Sequence, residues 1–210
     1  MGISRLKINQ GKHIFRSEKY KSACAEALDF IEKIPLYSFP LTSPFPGVGV
    51  YILYYFGDFI YYRGLVNKQK NSSPVPFYVG KAVPPGWRTA RINVSTSSSL
   101  YNRLREHSRS IEQASNLSLQ DFQYRMMILV GTESDLIVPV EAELIRKYRP
   151  VWNMIIDGFG NHNPGAGRYD QAKSEWDILH PGRDWANRLK GKSPLLENIV
   201  IKIKKYTESA

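Results

Sequence analysis

GVGVYILYYF at residues 47–56 contains the longest apolar run of the chain, Val48 to Phe56, and is rich in the β-branched and aromatic residues that suit a buried strand. The run is far below the roughly 20 residues that a membrane helix needs, so no membrane span is expected. Gly57-Asp58 reads as a turn into a second strand-like run, Phe59–Tyr62. The polar stretch Asn67–Ser73 reads as a loop before a third strand, Phe77–Gly80. Upstream, residues 1–16 form a basic tail. Tyr20, Cys24, Ala27, Ile31 and Ile34 then fall at helical spacing, which predicts a packed helix from Ser17 to Ile34. Pro40, Pro44, Pro46 and Gly47 break the chain before the strands begin.

Downstream, residues 82–99 are mostly loop, and one of Ser97–Ser99 starts a helix whose apolar stripe is Leu100, Leu104 and Ile111. Phe122–Val130 is a strand by composition. Pro139 suits the first turn of a helix that reaches Tyr148 and is stopped by Pro150. DGFGNHNPGAGR, Asp157–Arg168, is a glycine-rich loop. The tail pulls two ways: Ser193-Pro194 suits a helix start, whereas Ile199, Ile201 and Ile203 alternate like a strand, so the type of 193–205 stays open. The core order is β-β-α-β-α, a small α/β unit with insertions.

The 210 residues carry 29 Lys plus Arg against 19 Asp plus Glu, a net charge of +10, so an anionic partner is expected. The length suits one domain with insertions. Cys24 is the only cysteine, which excludes an internal disulfide and any multi-cysteine zinc site. MGISRLKINQ at the N-terminus has no apolar h-region, and Leu6 stands where myristoylation takes Ser or Thr, so a cytoplasmic location is expected.

The charge is unevenly spread. Residues 60–110 hold nine basic side chains (Arg63, Lys68, Lys70, Lys81, Arg88, Arg91, Arg103, Arg105 and Arg109) against Glu106 alone. Residues 111–167 reverse the balance, with seven carboxylates against four basic groups. A basic surface beside a region that keeps carboxylates suits a protein that grips phosphates and holds a divalent cation.

Four pieces of the core hold groups that can do chemistry. They are Gly49-Val50-Tyr51 on the first strand, Tyr78-Val79-Gly80-Lys81 on the last hairpin strand, Arg103 with His107 on one helix side, and Glu141 followed by Arg149-Pro150 and Asn153. Singly, each has a plain structural explanation. A strand tyrosine fills cores, an Arg–His pair on a helix is ordinarily solvated, a glutamate early in a helix offsets the dipole, and an asparagine after proline shapes a turn.

Together and in order, the set resembles the GIY-YIG nuclease family over about Gly47–Asn153, with Val50 and Val79 in place of the two isoleucines of the family name. YVGKA, LYNRLREH and EAELIRKYRPVWN look especially like the nuclease module of bacterial excision-repair proteins. The resemblance implies a small, mainly antiparallel sheet flanked by helices (α/β, or α+β). Its division would be an N-terminal arm and helix at 1–46, a core at 47–153 with a hairpin insertion at about 59–76, and a C-terminal extension at 154–210. It implies that Glu141, rather than Glu143, binds one Mg²⁺ or Mn²⁺, and that Arg103 grips the scissile phosphate. Tyr51 takes the proton of the attacking water, aided by cationic surroundings such as Lys81 and Arg103. Tyr78 and His107 orient that network, with His107 a rival base, Lys81 touches water or phosphate, and Asn153 fixes the site from below.

No separate recognition domain is visible, and this compact plan resembles a type II restriction endonuclease of the family. Such a bacterial enzyme would cut double-stranded DNA as a homodimer on a palindromic site, beside a cognate DNA methyltransferase. Candidate DNA contacts are Lys68, Lys70, Arg88, Arg91, Arg105, Arg109, Asn161, His162 and Arg168; Arg63 and Arg183 are further candidates for guanine. Trp176 and Trp185 suit core or dimer contacts. The alternatives are a structure-specific repair or mobile-element nuclease of the same family, and a non-catalytic DNA-binding protein.

Overall fold

The apolar run at 48–56 lies at the centre of the molecule, and every residue of its strand is buried. The computed structural model describes residues 9–70, 74–87 and 97–209, with 68–70 described as helical backbone only. In chain order the elements are α1 (Glu18–Lys33), β1 (Tyr37–Ser38), β2 (Gly49–Tyr55), α2 (Arg63–Lys70), β3 (Pro76–Ala82) and α3 (Ser99–Gln113). There follow β4 (Phe122–Ile128), α4 (Ile137–Tyr148), α5 (Val151–Met154), α6 (Glu175–Leu179) and α7 (Leu196–Ser209), with short 3₁₀ turns between.

The strands form one antiparallel sheet in the order β1-β4-β2-β3. Tyr51 stands opposite Gly80 on β3 and Met126 on β4. Helices cover both faces, which explains why β2 is apolar without alternation. On one face Tyr51, Leu53 and Tyr55 pack with Leu100 and Leu104 of α3, Trp152 of α5, Trp176 of α6 and Ile199 of α7. On the other face Val50, Ile52 and Tyr54 pack with Ile31 of α1 and with Val140 and Leu144 of α4. Each such aliphatic side chain contributes roughly 1.5–3 kcal/mol through burial.

Local signals set the helix ends as expected. Ser17 caps α1, its hydroxyl accepting from the Tyr20 amide at 3.2 Å. Arg149 adopts left-handed backbone at φ 47 and, with Pro150 behind it, stops α4.

One expectation fails, and the open tail is decided. Phe59–Tyr62 is not a strand but a set of turns leading into α2, so the expected insertion is helical and Asn67 to Lys70 belong to its helix. Both edges of β2 are already taken by β3 and β4, which leaves no ladder position beside it. Tyr62 instead turns its ring into the core against Phe77 and His180. At the tail, the three isoleucines lie on α7. Ile199 and Ile203, four apart, are fully buried while Ile201 is 49% exposed, so the alternation is one side of a helix seen with its opposite.

β3 is the sheet edge, and α5 closes it. Asn153 Oδ1 accepts from the Val79 amide at 2.7 Å, and its Nδ2 donates to the Val79 carbonyl at 2.9 Å. A side-chain amide thereby stands where the next strand would be.

Candidate active site

α3 lies on the sheet through Leu100, Leu104 and Ile111, and this stripe carries His107 inward and Arg103, one turn earlier, toward the rim. Tyr51 reaches His107 from β2, with Oη and Nε2 2.6 Å apart. The Tyr78 ring meets His107 edge-on at 5.2 Å and lies 6.3 Å from that of Tyr51. A Cβ on Gly80 would sit 2.3 Å from Tyr51 Oη, so glycine is what lets the phenol lie across β3.

Burial, then the neighbouring Tyr78 phenol, push the Tyr51 hydroxyl well above its ordinary range, although Arg103 opposes them. Burial, then the charges of Arg103, Arg183 and His162, hold the His107 imidazole well below its own range. The phenol therefore keeps its proton at neutral pH and shares a hydrogen bond with a neutral imidazole. Of the two cations expected beside Tyr51, Arg103 is there. Lys81 instead faces the opposite side of β3, level with Val50, and pairs with Glu141.

Arg103 is engaged within the protein through both terminal nitrogens. Its Nη1 donates to Glu106 at 2.8 Å and meets His162 Nε2 at 2.8 Å, while Nη2 donates to the Gly160 carbonyl at 2.7 Å. Glu141 projects from α4, so β3 separates the Tyr51 cluster from the carboxylate. Glu143 turns outward to Arg146 at 2.5 Å, which leaves Glu141 as the carboxylate facing β3.

Among the described residues no group of three or more His, Cys, Asp or Glu is arranged to hold a metal. One hard oxygen ligand suits Mg²⁺ or Mn²⁺, which keep several waters and take others from a substrate phosphate. Both ends of the Asn153 amide are spent on β3 backbone.

Arg105 and Arg109 are exposed on α3, Arg168 and Asn161 are exposed in the glycine-rich segment, and Arg63 is exposed at the start of α2. Lys68 and Lys70 lie in α2, while Arg88 and Arg91 lie outside the described residues. His162, expected on DNA, sits on Arg103 and 3.6 Å from Glu106. Arg183, offered for guanine, is 1% exposed and ion-paired to Asp177, so it reads no base.

The sequence reading missed Glu106 and Phe159. Glu106 was legible from its i,i+3 spacing to Arg103. Phe159, between two glycines, stacks on His107 with centroids 4.5 Å apart at 17°, which nothing local signals.

No helix among the described residues is long and apolar enough to cross a membrane. The family model of the Eco29kI GIY-YIG domain matches residues 43–207. No curated protein matches the chain.

Proposed function

The chain belongs to the Eco29kI GIY-YIG family of restriction endonuclease domains, and from that premise we propose that it is a site-specific endonuclease hydrolysing both strands of duplex DNA. The observation that carries the reading is the buried Tyr51–His107 hydrogen bond set against Arg103, with Glu141 just across the edge strand.

In this reading Tyr51 accepts the proton of the attacking water as its own proton passes along the existing hydrogen bond to His107 Nε2. Relaying through a neutral imidazole removes the need for a free tyrosinate, which burial makes unfavourable here. Arg103 exchanges Glu106 and His162 at Nη1 for phosphoryl oxygen, while Nη2 keeps the Gly160 carbonyl. Lys81 leaves Glu141 and turns to the phosphate. Glu141 would hold the divalent cation, which when bound would supply charge neutralisation at the phosphoryl group. Tyr78 packs His107 in place, and Asn153 holds the strand carrying Tyr78 and Lys81.

Arg105, Arg109 and Arg168, with Lys68, Lys70, Arg88 and Arg91, supply backbone and base contacts to the duplex. One centre per chain makes a two-fold homodimer on a palindromic site the simplest route to a double-strand break. A cognate methyltransferase would protect the host's own copies of that site.

Plasmid digestion with Mg²⁺ or EDTA, beside Glu141→Ala, tests the reading. Sharp fragments that need both the metal and Glu141 are expected. Duplex binding with no cleavage under Mg²⁺ or Mn²⁺ would sink the enzyme and leave a DNA-binding protein; smeared products would point to a nuclease without a fixed site.

A further inference from the structure

The C-terminal extension reaches the candidate site through one buried ion pair. The side chains of Arg183 and Asp177 are 0% and 2% exposed, and Arg183 Nε donates to Asp177 Oδ1 at 2.7 Å. The guanidinium lies over the Trp176 ring at 4.4 Å and the Trp185 ring at 4.7 Å. Its two remaining arms gather one loop. Nη2 donates to the Gly158 carbonyl at 2.9 Å, and Nη1 to the Phe159 carbonyl at 3.2 Å, with that of Asn161 at 3.5 Å. Ser174 braces the acid, its hydroxyl donating to Asp177 Oδ2 at 2.6 Å. Gly158 has φ 98, and a Cβ there would strike Ser174 Oγ at 2.0 Å, so the loop passes as close to this brace as backbone allows.

Stability alone is a poor reason for such a pair, because packed apolar residues of similar volume commonly do as well. The gathered loop carries the reason. Phe159 stacks on His107, and the Gly160 carbonyl holds Arg103 Nη2. Two of the groups that the nuclease reading assigns to proton transfer and phosphate binding thus take their positions from residues 158–160.

We propose that Asp177 and Arg183 are positioning residues for DNA cleavage: their clamp on the Gly158–Asn161 loop sets His107 through Phe159 and Arg103 through Gly160. The proposal rests on the nuclease reading above. Neither residue touches substrate. The groups facing His107 are Tyr51 from β2, Tyr78 from β3, Arg103 on its own helix, His162 of the loop, and Arg183, whose buried charge adds to the burial that keeps the imidazole neutral.

Two variants test this in the full chain. Arg183→Met alone keeps the stem between the tryptophans and leaves Asp177 unpaired; the double variant Asp177→Asn with Arg183→Met removes both charges at nearly constant shape. Three properties decide the outcome: cooperative unfolding, duplex affinity with Ca²⁺ in place of Mg²⁺, and single-turnover cleavage with Mg²⁺. A fourth, the NMR resonances of the ¹³C-labelled His107 imidazole without DNA, is independent of activity.

The double variant is expected to unfold cooperatively and bind duplex within about threefold of the unaltered chain. Its cleavage should be slower by about 100-fold, the size of effect that displacing reacting groups by about 1 Å produces. The imidazole resonances should move as the Phe159 ring leaves, and their titration should rise toward the ordinary histidine range. Cleavage within threefold of the unaltered chain overturns the proposal. So does a fall in cleavage that only tracks the folded fraction while the imidazole resonances of the folded molecules stay in place. If the unaltered chain cuts no duplex under any divalent metal, the nuclease reading fails by itself. The imidazole resonances then decide the clamp: displaced, the positioning stands; unmoved, it falls.

Discussion

Two tyrosine–histidine pairs lie in the same core and look alike at first. Tyr51 Oη to His107 Nε2 and Tyr62 Oη to His180 Nε2 are both 2.6 Å, and all four side chains are buried. Their surroundings differ. The Tyr62 pair is closed at both ends: Trp152 Nε1 donates to Tyr62 Oη at 2.8 Å, and His180 Nδ1 meets Asn116 Oδ1 at 2.9 Å. Asn116 in turn donates to the Leu179 carbonyl at 2.9 Å, so the network ties the end of α6 to α5, to the turn before α2 and to the loop after α3. The Tyr51 pair faces Arg103, and His107 lines a cavity of about 230 Å³ with Arg103, Glu106 and Arg109. The pair is therefore not the function by itself. What separates the buttress from the proposed proton relay is an opening for substrate with Arg103 on its rim.

Replacing the two tyrosines in turn tests that comparison most severely. Tyr51→Phe is expected to slow single-turnover cleavage per folded molecule by roughly 10²–10⁴-fold, the usual range for removing an acid–base group, and to cost about 1–2 kcal/mol of stability because His107 Nε2 loses its partner. Turnover matching that of the unaltered chain would remove Tyr51 from proton transfer and leave both pairs structural. Tyr62→Phe should act on stability alone. It leaves His180 Nε2 and Trp152 Nε1 unsatisfied in the core, a loss of about 2–3 kcal/mol in denaturant unfolding. Cleavage per folded molecule should stay within about threefold; a large drop there would merge the two pairs into one network.

A smaller effect follows from His180, whose pKa burial, then the Arg183 charge, lower to about 3. Between the ordinary histidine value of about 6.5 and that folded value, the unfolded chain binds a proton that the folded one refuses. Stability is thus fully present above pH 6.5 and drains as pH falls toward 3. His180→Gln should flatten this slope by about 1.4 kcal/mol per pH unit between pH 6 and 4, read from denaturant midpoints. An unchanged slope would mean that His180 is already protonated in the folded state.

Glu106→Gln should have the slightest consequence. Its pair with Arg103 is half exposed at the acid, so stability should shift by no more than about 0.5 kcal/mol. Duplex binding should tighten several-fold as Arg103 is freed for phosphate. Weaker binding would show that Glu106 aims Arg103 rather than competing for it.

Much of this was legible from the chain. The apolar run at 48–56, the stripe on α3, and the proline and glycine breaks locate most of the sheet and three helices, because local periodicity reports which side of an element is buried. Phe59–Tyr62 misled because aromatic composition signals β structure, whereas pairing depends on whether a strand edge is free. Arg183 misled because a guanidinium suits guanine only where its fork is free, which the sequence does not show. Its fate was set by Asp177 and two tryptophans that close around it.

By itself the sequence determined the order of most core elements, the surplus of positive charge, and the family pattern Tyr51, Tyr78, Arg103, His107, Glu141 and Asn153, since these need only neighbours along the chain. The tertiary structure alone decided that Tyr51 meets His107 and that Glu141 stands across β3 with Lys81. It also decided that one tyrosine–histidine pair is sealed while the other opens beside Arg103. Those contacts join residues tens to more than a hundred positions apart, and their burial, which sets which proton sits where, exists only once the sheet and helices have packed.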